Sequence, residues 1–185
     1  MKRIDALKII ASKCRDALIV CNIGFPCREL CSVGDRPETF YMLGSMGMSS
    51  SIGLGVAVAV PHKKVISIDG DGAILMNLGS LATIGSLNLD NYVLIILDNG
   101  TYGSTGSQPT SLSRNGSLSK IAIGAGIPCV LEVQEKEELS AALNNIKKGV
   151  IVVKIETGNS KAPLVPYSPE EIKKNFMAAV SRPVQ

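Results

Sequence analysis

The chain has no tryptophan, one histidine and only 4% aromatic residues among its 185 positions. That histidine, His62, stands far along the chain from the cysteines at 14–31, so a mixed histidine–thiolate metal site has little to draw on. Five cysteines, Cys14, Cys21, Cys27, Cys31 and Cys129, are an odd number without tight C-x-x-C pairs. Neither a disulfide framework nor a zinc cage is expected; buried free thiols are. A ferredoxin-type cysteine run is also missing, which argues against an iron–sulfur-coupled oxidoreductase. The charge excess is only 19 − 16 = +3, too small and too scattered for a nucleic-acid surface. No apolar run reaches the roughly 18–20 residues of a membrane span. The first residues, "MKRIDALKII", lack the apolar core and small-residue cleavage site of a signal peptide. A cytoplasmic protein with no membrane partner is expected.

What is present is a run of apolar strands. "DALIVCNIG", "TFYML", "KVISIDG", "YVLIILDNG" and "VIVVKIET" each carry a short apolar core. Helical spacing marks "RIDALKIIASK" and "KEELSAALNNIKK". "MGMSSSIGLGVAVAV", stopped by Pro61, and "NLGSLATIGSLN" read as buried helices of small residues. "SPEEIKKNFMAAV" predicts a last helix with Ser168 as N-cap and Pro169 at its first position. Apolar residues make up 45% and charged residues 19%, as in a globular chain. Continuous apolar strands separated by helices predict an α/β fold, a parallel sheet covered by helices on both faces. The length fits one domain over residues 1–185. The Gly-, Ser- and Thr-rich stretch 100–117 is the expected mobile loop.

Ligands of an open parallel sheet bind beyond the carboxyl ends of its strands. Three turns fall there: "NIGFPCREL", "IDGDGA" and "LDNGTYGSTG". Glycine lets backbone approach a ligand closely, and turn amides form an anion-binding concavity. Asp and Asn add hard oxygens suited to magnesium. Asp71 and Asn99 lie 99 − 71 = 28 residues apart, room for one helix and one strand. Both then reach the same sheet edge, a site suited to a metal-bound phosphate ester.

Gly-Asp-Gly followed by an apolar strand ending in Asn resembles the cofactor motif of the thiamine-diphosphate-dependent decarboxylases. The family pattern ends in Asn-Asn; here it is Asp98-Asn99. The resemblance implies a diphosphate-binding-domain fold with thiamine diphosphate and Mg²⁺ as cofactors. By similarity, Asp71, the Asn99 side chain and the Thr101 carbonyl are the metal ligands. Backbone around Gly70, Gly72 and Ala73 holds the diphosphate, Gly24 and Phe25 touch it, and Tyr102 lies in the same loop as Thr101. "YMLGSMGMSSSIGLG" resembles the family's preceding segment. That likeness assigns a cofactor-facing carbonyl to Gly44, places Ser45 beside it, and makes Met46 the wedge that bends the cofactor.

The family's catalytic Glu belongs to a separate pyrimidine-binding domain. No catalytic residue is therefore expected in this chain. The Glu would come from a partner subunit carrying that domain, in a hetero-oligomer, in preference to Glu29 or Glu38 here. "NIGFPCREL", "DRPETFYMLGSMGMSSSIGLG", "DGDGAILMNLGSLATIG" and "NGTYGSTGSQPT" together resemble the sulfopyruvate and phosphonopyruvate decarboxylases, and among them the β subunits of the former, over roughly residues 15–160. This implies decarboxylation of a small 2-oxo acid, 3-sulfopyruvate, to sulfoacetaldehyde in coenzyme M biosynthesis. Phosphonopyruvate decarboxylase and another split thiamine enzyme, of acetolactate-synthase type, are alternatives; a non-catalytic nucleotide-binding module is a third. Arg28, Arg36 and Arg114 are candidates for the substrate's sulfonate. Ser104, Thr105 and Gln108 are candidates to close over the site.

Overall fold

A computed structural model describes residues 1–183. The elements are α1 (Arg3–Lys13), β1 (Leu18–Cys21), α2 (Phe25–Gly34), β2 (Thr39–Tyr41), α3 (Ser49–Ala59), β3 (Val65–Gly70), α4 (Asp71–Met76) and α5 (Gly79–Leu87). They continue as β4 (Tyr92–Asp98), β5 (Thr101–Tyr102), β6 (Gln108–Pro109), α6 (Leu118–Gly124), β7 (Val130–Val133), α7 (Lys136–Asn145), β8 (Gly149–Lys154) and α8 (Pro169–Ser181). Six strands form one sheet in the order β2-β1-β3-β4-β8-β7, with every pairing parallel.

Both faces of the sheet are covered, which is why its strands are apolar throughout. Ile19, Ile66, Ile95 and Ile151 face α1, α2 and α7 through Leu7, Ile10, Leu30 and Leu139. Their neighbours Val20, Val65, Leu94 and Val152 face α3, α5, α6 and α8 through Leu54, Leu81, Leu118 and Phe176. The strand period of two thus divides one apolar run between two cores.

The small residues of α3 let it lie directly on the sheet. A Cβ on Gly53 would come within 2.0 Å of Ser67 Oγ. Ser49 Oγ donates to the Ile68 carbonyl at 3.0 Å, and Tyr92 Oη donates to the Ser50 carbonyl at 2.9 Å. These bonds fix the start of α3, and with it the turn 43–48 that precedes it. The last helix begins as predicted: the Ser168 hydroxyl accepts from the Glu171 amide and the Glu171 carboxylate accepts from the Ser168 amide, a capping box. Three elements were not legible in sequence, α2, α6 and β7; the helix start implied at Gly72–Ala73 by the resemblance is the short α4, which opens at Asp71. The stretch expected as a mobile loop carries a small antiparallel hairpin, β5–β6.

Candidate functional site

The chain leaves β1 toward β2 on one side and resumes as β3 on the other. The crevice between β1 and β3 is therefore a topological switch point, where open α/β sheets take their ligands. A cavity of about 460 Å³ opens there. Gly24 and Phe25 enter its wall from the turn after β1, with Gly70, Asp71, Gly72 and Ala73 after β3 and Asn99, Thr101 and Tyr102 after β4. Met46 reaches it from the turn before α3. Ten of the twelve sequence-predicted residues thus share one wall. Gly44 and Ser45 lie on the exposed turn beside it.

Local chemistry explains the convergence. Gly24 has φ +92°, a conformation that favours glycine, and turns the chain directly into α2. The residues that start α2 and α4 both line the cavity, two helix starts suited to an anion. Gly72 admits the Tyr102 ring: a Cβ there would lie 2.4 Å from a ring carbon. Gly47, at φ +91°, sits where a Cβ would be 2.8 Å from the Ala73 carbonyl. Asn77 Nδ2 donates to the Gly47 carbonyl at 3.0 Å and to Ser51 Oγ at 2.9 Å. The two glycine motifs, distant in sequence, are therefore held together as one unit.

Asp71 is almost wholly buried. Burial, and then the charge of Asp98, push its carboxyl up to about 6. Thr110 Oγ1 donates to Asp71 Oδ2 at 3.2 Å. Asp98, which stands where the family pattern has Asn, is paired with Lys154 Nζ at 2.5 Å across the β4–β8 register. That pairing gives the extra acid a counter-charge, although Asp98 still acts on Asp71. Asn99 Oδ1 accepts from the Thr101 amide at 3.0 Å and shapes the loop.

The donor set fits a divalent cation with a diphosphate. A buried carboxylate lifted by desolvation and a second acid is stabilised by positive charge, and carboxylate and amide oxygens are hard ligands. Two buried wall atoms, Asn22 Oδ1 and Thr101 Oγ1, have no hydrogen-bond partner. Such atoms in native proteins ordinarily have a partner, here one that a ligand or water supplies. No cluster of three or more His, Cys, Asp or Glu side chains stands ready for a metal among the described residues, so the site needs amide, backbone or ligand oxygens to complete a coordination shell.

Among the described residues no glutamate lines the cavity. Glu29 is bound by Arg3 through two contacts of 2.9 Å and by the Ser160 amide at 3.0 Å. Burial pushes its carboxyl up, but Arg3 and Ser160 outweigh that and hold it below the usual range. Glu38 pairs with Arg182. Neither is placed to act on a ligand in the cavity. Of the arginine candidates, Arg36 donates to the carbonyls of Cys14, Ala17 and Arg15 and tethers the loop after α1. Arg114 is exposed and outside the cavity wall. Only Arg28 lines it, beside Ser104 and Thr105. Gln108 lies outside that wall, bonded to Thr105. His62 sits exposed before β3, at the opposite edge of the sheet.

Sequence reasoning missed Arg3, Asn22, Thr110 and Asn159, all brought in by long-range packing. The signal for Asn22 was present, since it directly follows β1 as Asn99 follows β4. The five cysteines are free; Cys27 Sγ lies 3.1 Å from the Cys21 carbonyl and serves as a buried thiol. No helix among the described residues is long and apolar enough to cross a membrane.

Known proteins resemble this chain in sequence and in fold. Residues 30–155 match the family described as thiamine pyrophosphate enzyme, C-terminal TPP binding domain. The sulfopyruvate decarboxylase subunit beta of Methanocaldococcus jannaschii is 49% identical over 186 residues, covering 98% of both chains. The sulfopyruvate decarboxylase of Methanosarcina acetivorans is 44% identical over 95% of this chain, which spans 46% of that protein. The phosphonopyruvate decarboxylase of Streptomyces viridochromogenes is 44% identical over 76% of this chain and 35% of its own length. A solved structure from Mycobacterium smegmatis, described as thiamin diphosphate-dependent, superposes with a TM-score of 0.67 at 20% identity, over 85% of this chain and 32% of that one; at that identity the likeness speaks for the fold. With near-full-length relatives and a family model matched over residues 30–155, the chain belongs to the thiamine pyrophosphate enzymes, in the family of the sulfopyruvate decarboxylase β subunits.

Proposed function

We propose that this chain is the diphosphate-binding half of a two-subunit decarboxylase that converts 3-sulfopyruvate to sulfoacetaldehyde and CO₂, a step toward coenzyme M. Thiamine diphosphate bound with Mg²⁺ would supply the electron sink that accepts the bonding pair as CO₂ leaves. The supporting observation is Asp71: an acid buried at a switch point, lifted to about 6, with Asn99 and Thr101 in the same wall.

Asp71, the Asn99 side chain and the Thr101 carbonyl would hold the metal. Amides at the starts of α2 and α4, from Gly24–Phe25 and Gly72–Ala73, would hold the diphosphate. Met46, 38% exposed at the cavity mouth, would brace the cofactor's bend, with Gly44 and Ser45 on the adjacent turn. Tyr102 closes the wall over Gly72 and limits water there.

The catalytic Glu would come in trans, from a partner subunit carrying the pyrimidine-binding domain. This is supported by the lack of a glutamate in the cavity wall and by the 46% span of the Methanosarcina protein, whose remaining length would correspond to that partner. Leu43, Met46, Met48 and Met76 leave apolar surface exposed around the cavity mouth, suited to being covered by such a subunit.

The test is reconstitution. The purified chain with thiamine diphosphate and Mg²⁺ is expected to release no CO₂ from 3-sulfopyruvate, and addition of the partner subunit is expected to restore release. Turnover by this chain alone would refute the division of labour. The Streptomyces match supports phosphonopyruvate as the second substrate to assay; a kcat/KM favouring it over sulfopyruvate would reassign the substrate.

A further inference from the structure

Resting on the decarboxylase reading above, we propose that Arg28 is the residue that selects the substrate, by receiving the tetrahedral anionic group carried on its third carbon. A 3-sulfonated 2-oxo acid brings a permanent charge beyond its carboxylate. It must enter a cavity that already holds Asp71 and would hold a diphosphate. Moving such a group out of water is costly unless a fixed cation faces it.

The cavity wall contains two guanidinium groups, Arg3 and Arg28. Arg3 is spent: Glu29 takes it through two bonds of 2.9 Å and Asn159 through a third at 2.9 Å. For Arg28 the structure gives only a stacking contact, its guanidinium carbon 5.3 Å from the Phe25 ring centroid; among the described residues it makes no ion pair within 4.0 Å. Stacking holds the head group in place while leaving its in-plane N–H donors free, and those donors match two oxygens of a sulfonate at once. Lys154, the other cation near the Asp71 side of the crevice, is committed to Asp98.

Position separates this role from holding the cofactor. The diphosphate would have the amides at the starts of α2 and α4; Arg28 lies further along α2, the fourth residue of that helix. Ser104 shares this part of the wall. Its Oγ lies 3.6 Å from where a Cβ on Gly24 would stand, which brings a hydroxyl to the same turn of α2. Arg28 and Ser104 thus put a cation and a neutral donor into the wall of one cavity, a pair of groups complementary to a three-oxygen anion and indifferent to a methyl group.

The experiment uses the assembled two-subunit complex with Arg28→Gln and Arg28→Lys. Arg28 is half-buried and bonded to nothing but its stacking partner, so both variants are expected to melt with wild type. For Arg28→Gln, kcat/KM for 3-sulfopyruvate should fall about 100-fold, through KM, as for a site that loses its polar partner for one substrate group. Arg28→Lys should recover about tenfold of that, because the charge returns without the fork. The inhibition constant of sulfoacetate, which has both acidic groups and no keto carbon, should rise in step. The calorimetric Kd of thiamine diphosphate with Mg²⁺ should stay within about a factor of two. A rise of that Kd in step with the loss of turnover, with sulfoacetate inhibition flat, assigns Arg28 to the diphosphate and overturns the proposal; unchanged kinetics with sulfopyruvate also overturn it. If the wild-type complex itself does not turn over sulfopyruvate, the decarboxylase reading fails and the proposal falls with it, a result distinct from wild-type turnover with unaffected variants.

Discussion

The two edges of the sheet treat polar groups in opposite ways. At the amino edge, cations and amides are spent closing helix ends. Lys63 Nζ donates to the Ala179 and Val180 carbonyls at 2.9 and 2.8 Å, Lys64 Nζ donates to Ile146 at 2.8 Å, and Asn91 Nδ2 donates to Ala57 and Lys63 at 3.0 and 2.9 Å. Positive charge at a helix C-terminus also meets its dipole favourably. At the carboxyl edge, Asn22 Oδ1, Thr101 Oγ1 and both oxygens of Asp69 are buried without partners, and among the described residues Arg28 meets only the Phe25 ring and no acid. The amino edge is largely finished as structure, with Thr39 Oγ1 at the start of β2 the exception among these buried atoms. The other keeps the unsatisfied groups that a ligand, or a partner subunit, would complete. Native proteins tolerate buried orphans mainly where function needs them.

The contrast is tested most strongly by Asp71→Ala. We expect the Mg²⁺-dependent affinity of the assembled complex for thiamine diphosphate to fall at least about 100-fold by calorimetry. In wild type, protons compete with the metal for Asp71. Its folded value is raised to about 6, so affinity should be flat above pH 6 and fall by up to tenfold per unit below it. An affinity independent of pH between 5 and 7 would contradict the role.

Asp69 gives the next largest effect. It is fully buried on β3, and burial lifts its carboxyl to about 7, tempered by the nearby Ser49 hydroxyl and the Ser50 and Gly70 amides. Neither oxygen has a hydrogen bond of ordinary geometry. Because the folded value is raised, the folded state holds the proton more tightly than the unfolded state. Stability from this group is therefore full below pH 4 and lost as pH rises through 7. That is a decline of about 2 kcal/mol between pH 5 and 8. Asp69→Asn should flatten that part of the denaturation profile; an unchanged slope would mean that Asp69 is solvated or paired in solution.

A smaller effect is expected from Gly72→Ala. The new methyl group would meet the Tyr102 ring at 2.4 Å, so Tyr102 must swing aside and open the wall. Cofactor affinity should drop about tenfold, with the melting temperature changed by only a few degrees. A wild-type affinity would show that Tyr102 does not shape the site. Smallest is Lys63→Met at the finished edge: about 1 kcal/mol of stability lost by urea titration, with cofactor affinity unchanged. A change in affinity there would erase the distinction between the edges.

The sheet and the helices on both faces were legible because their signals are local, and local motifs with the family resemblance named ten residues that the fold brings to one cavity wall. Apolar strand runs, glycines at turns and the 71–99 spacing all survive in one dimension. What was not legible depends on contacts across the fold. α2 was hidden because "GFPCREL" begins with turn residues, and its helical form follows from Gly24 at φ +92° with Pro26 in its first turn. α6 and β7 are short, and packing against β8 and each other, with a Ser117 cap on α6, defines them. The pairing of Asp98 with Lys154 needed the β4–β8 register. The separation of Arg28 from Arg3, one free and one bound, needed Glu29 to be seen buried beside Arg3.

The most direct measurement is a crystal structure of this chain with its partner subunit, thiamine diphosphate and Mn²⁺, the ion located by anomalous scattering. We expect the diphosphate between the starts of α2 and α4, with the ion in contact with Asp71 and Asn99. An ion or diphosphate bound away from that crevice, with Asp71 and Asn99 touching neither, would contradict the assignment.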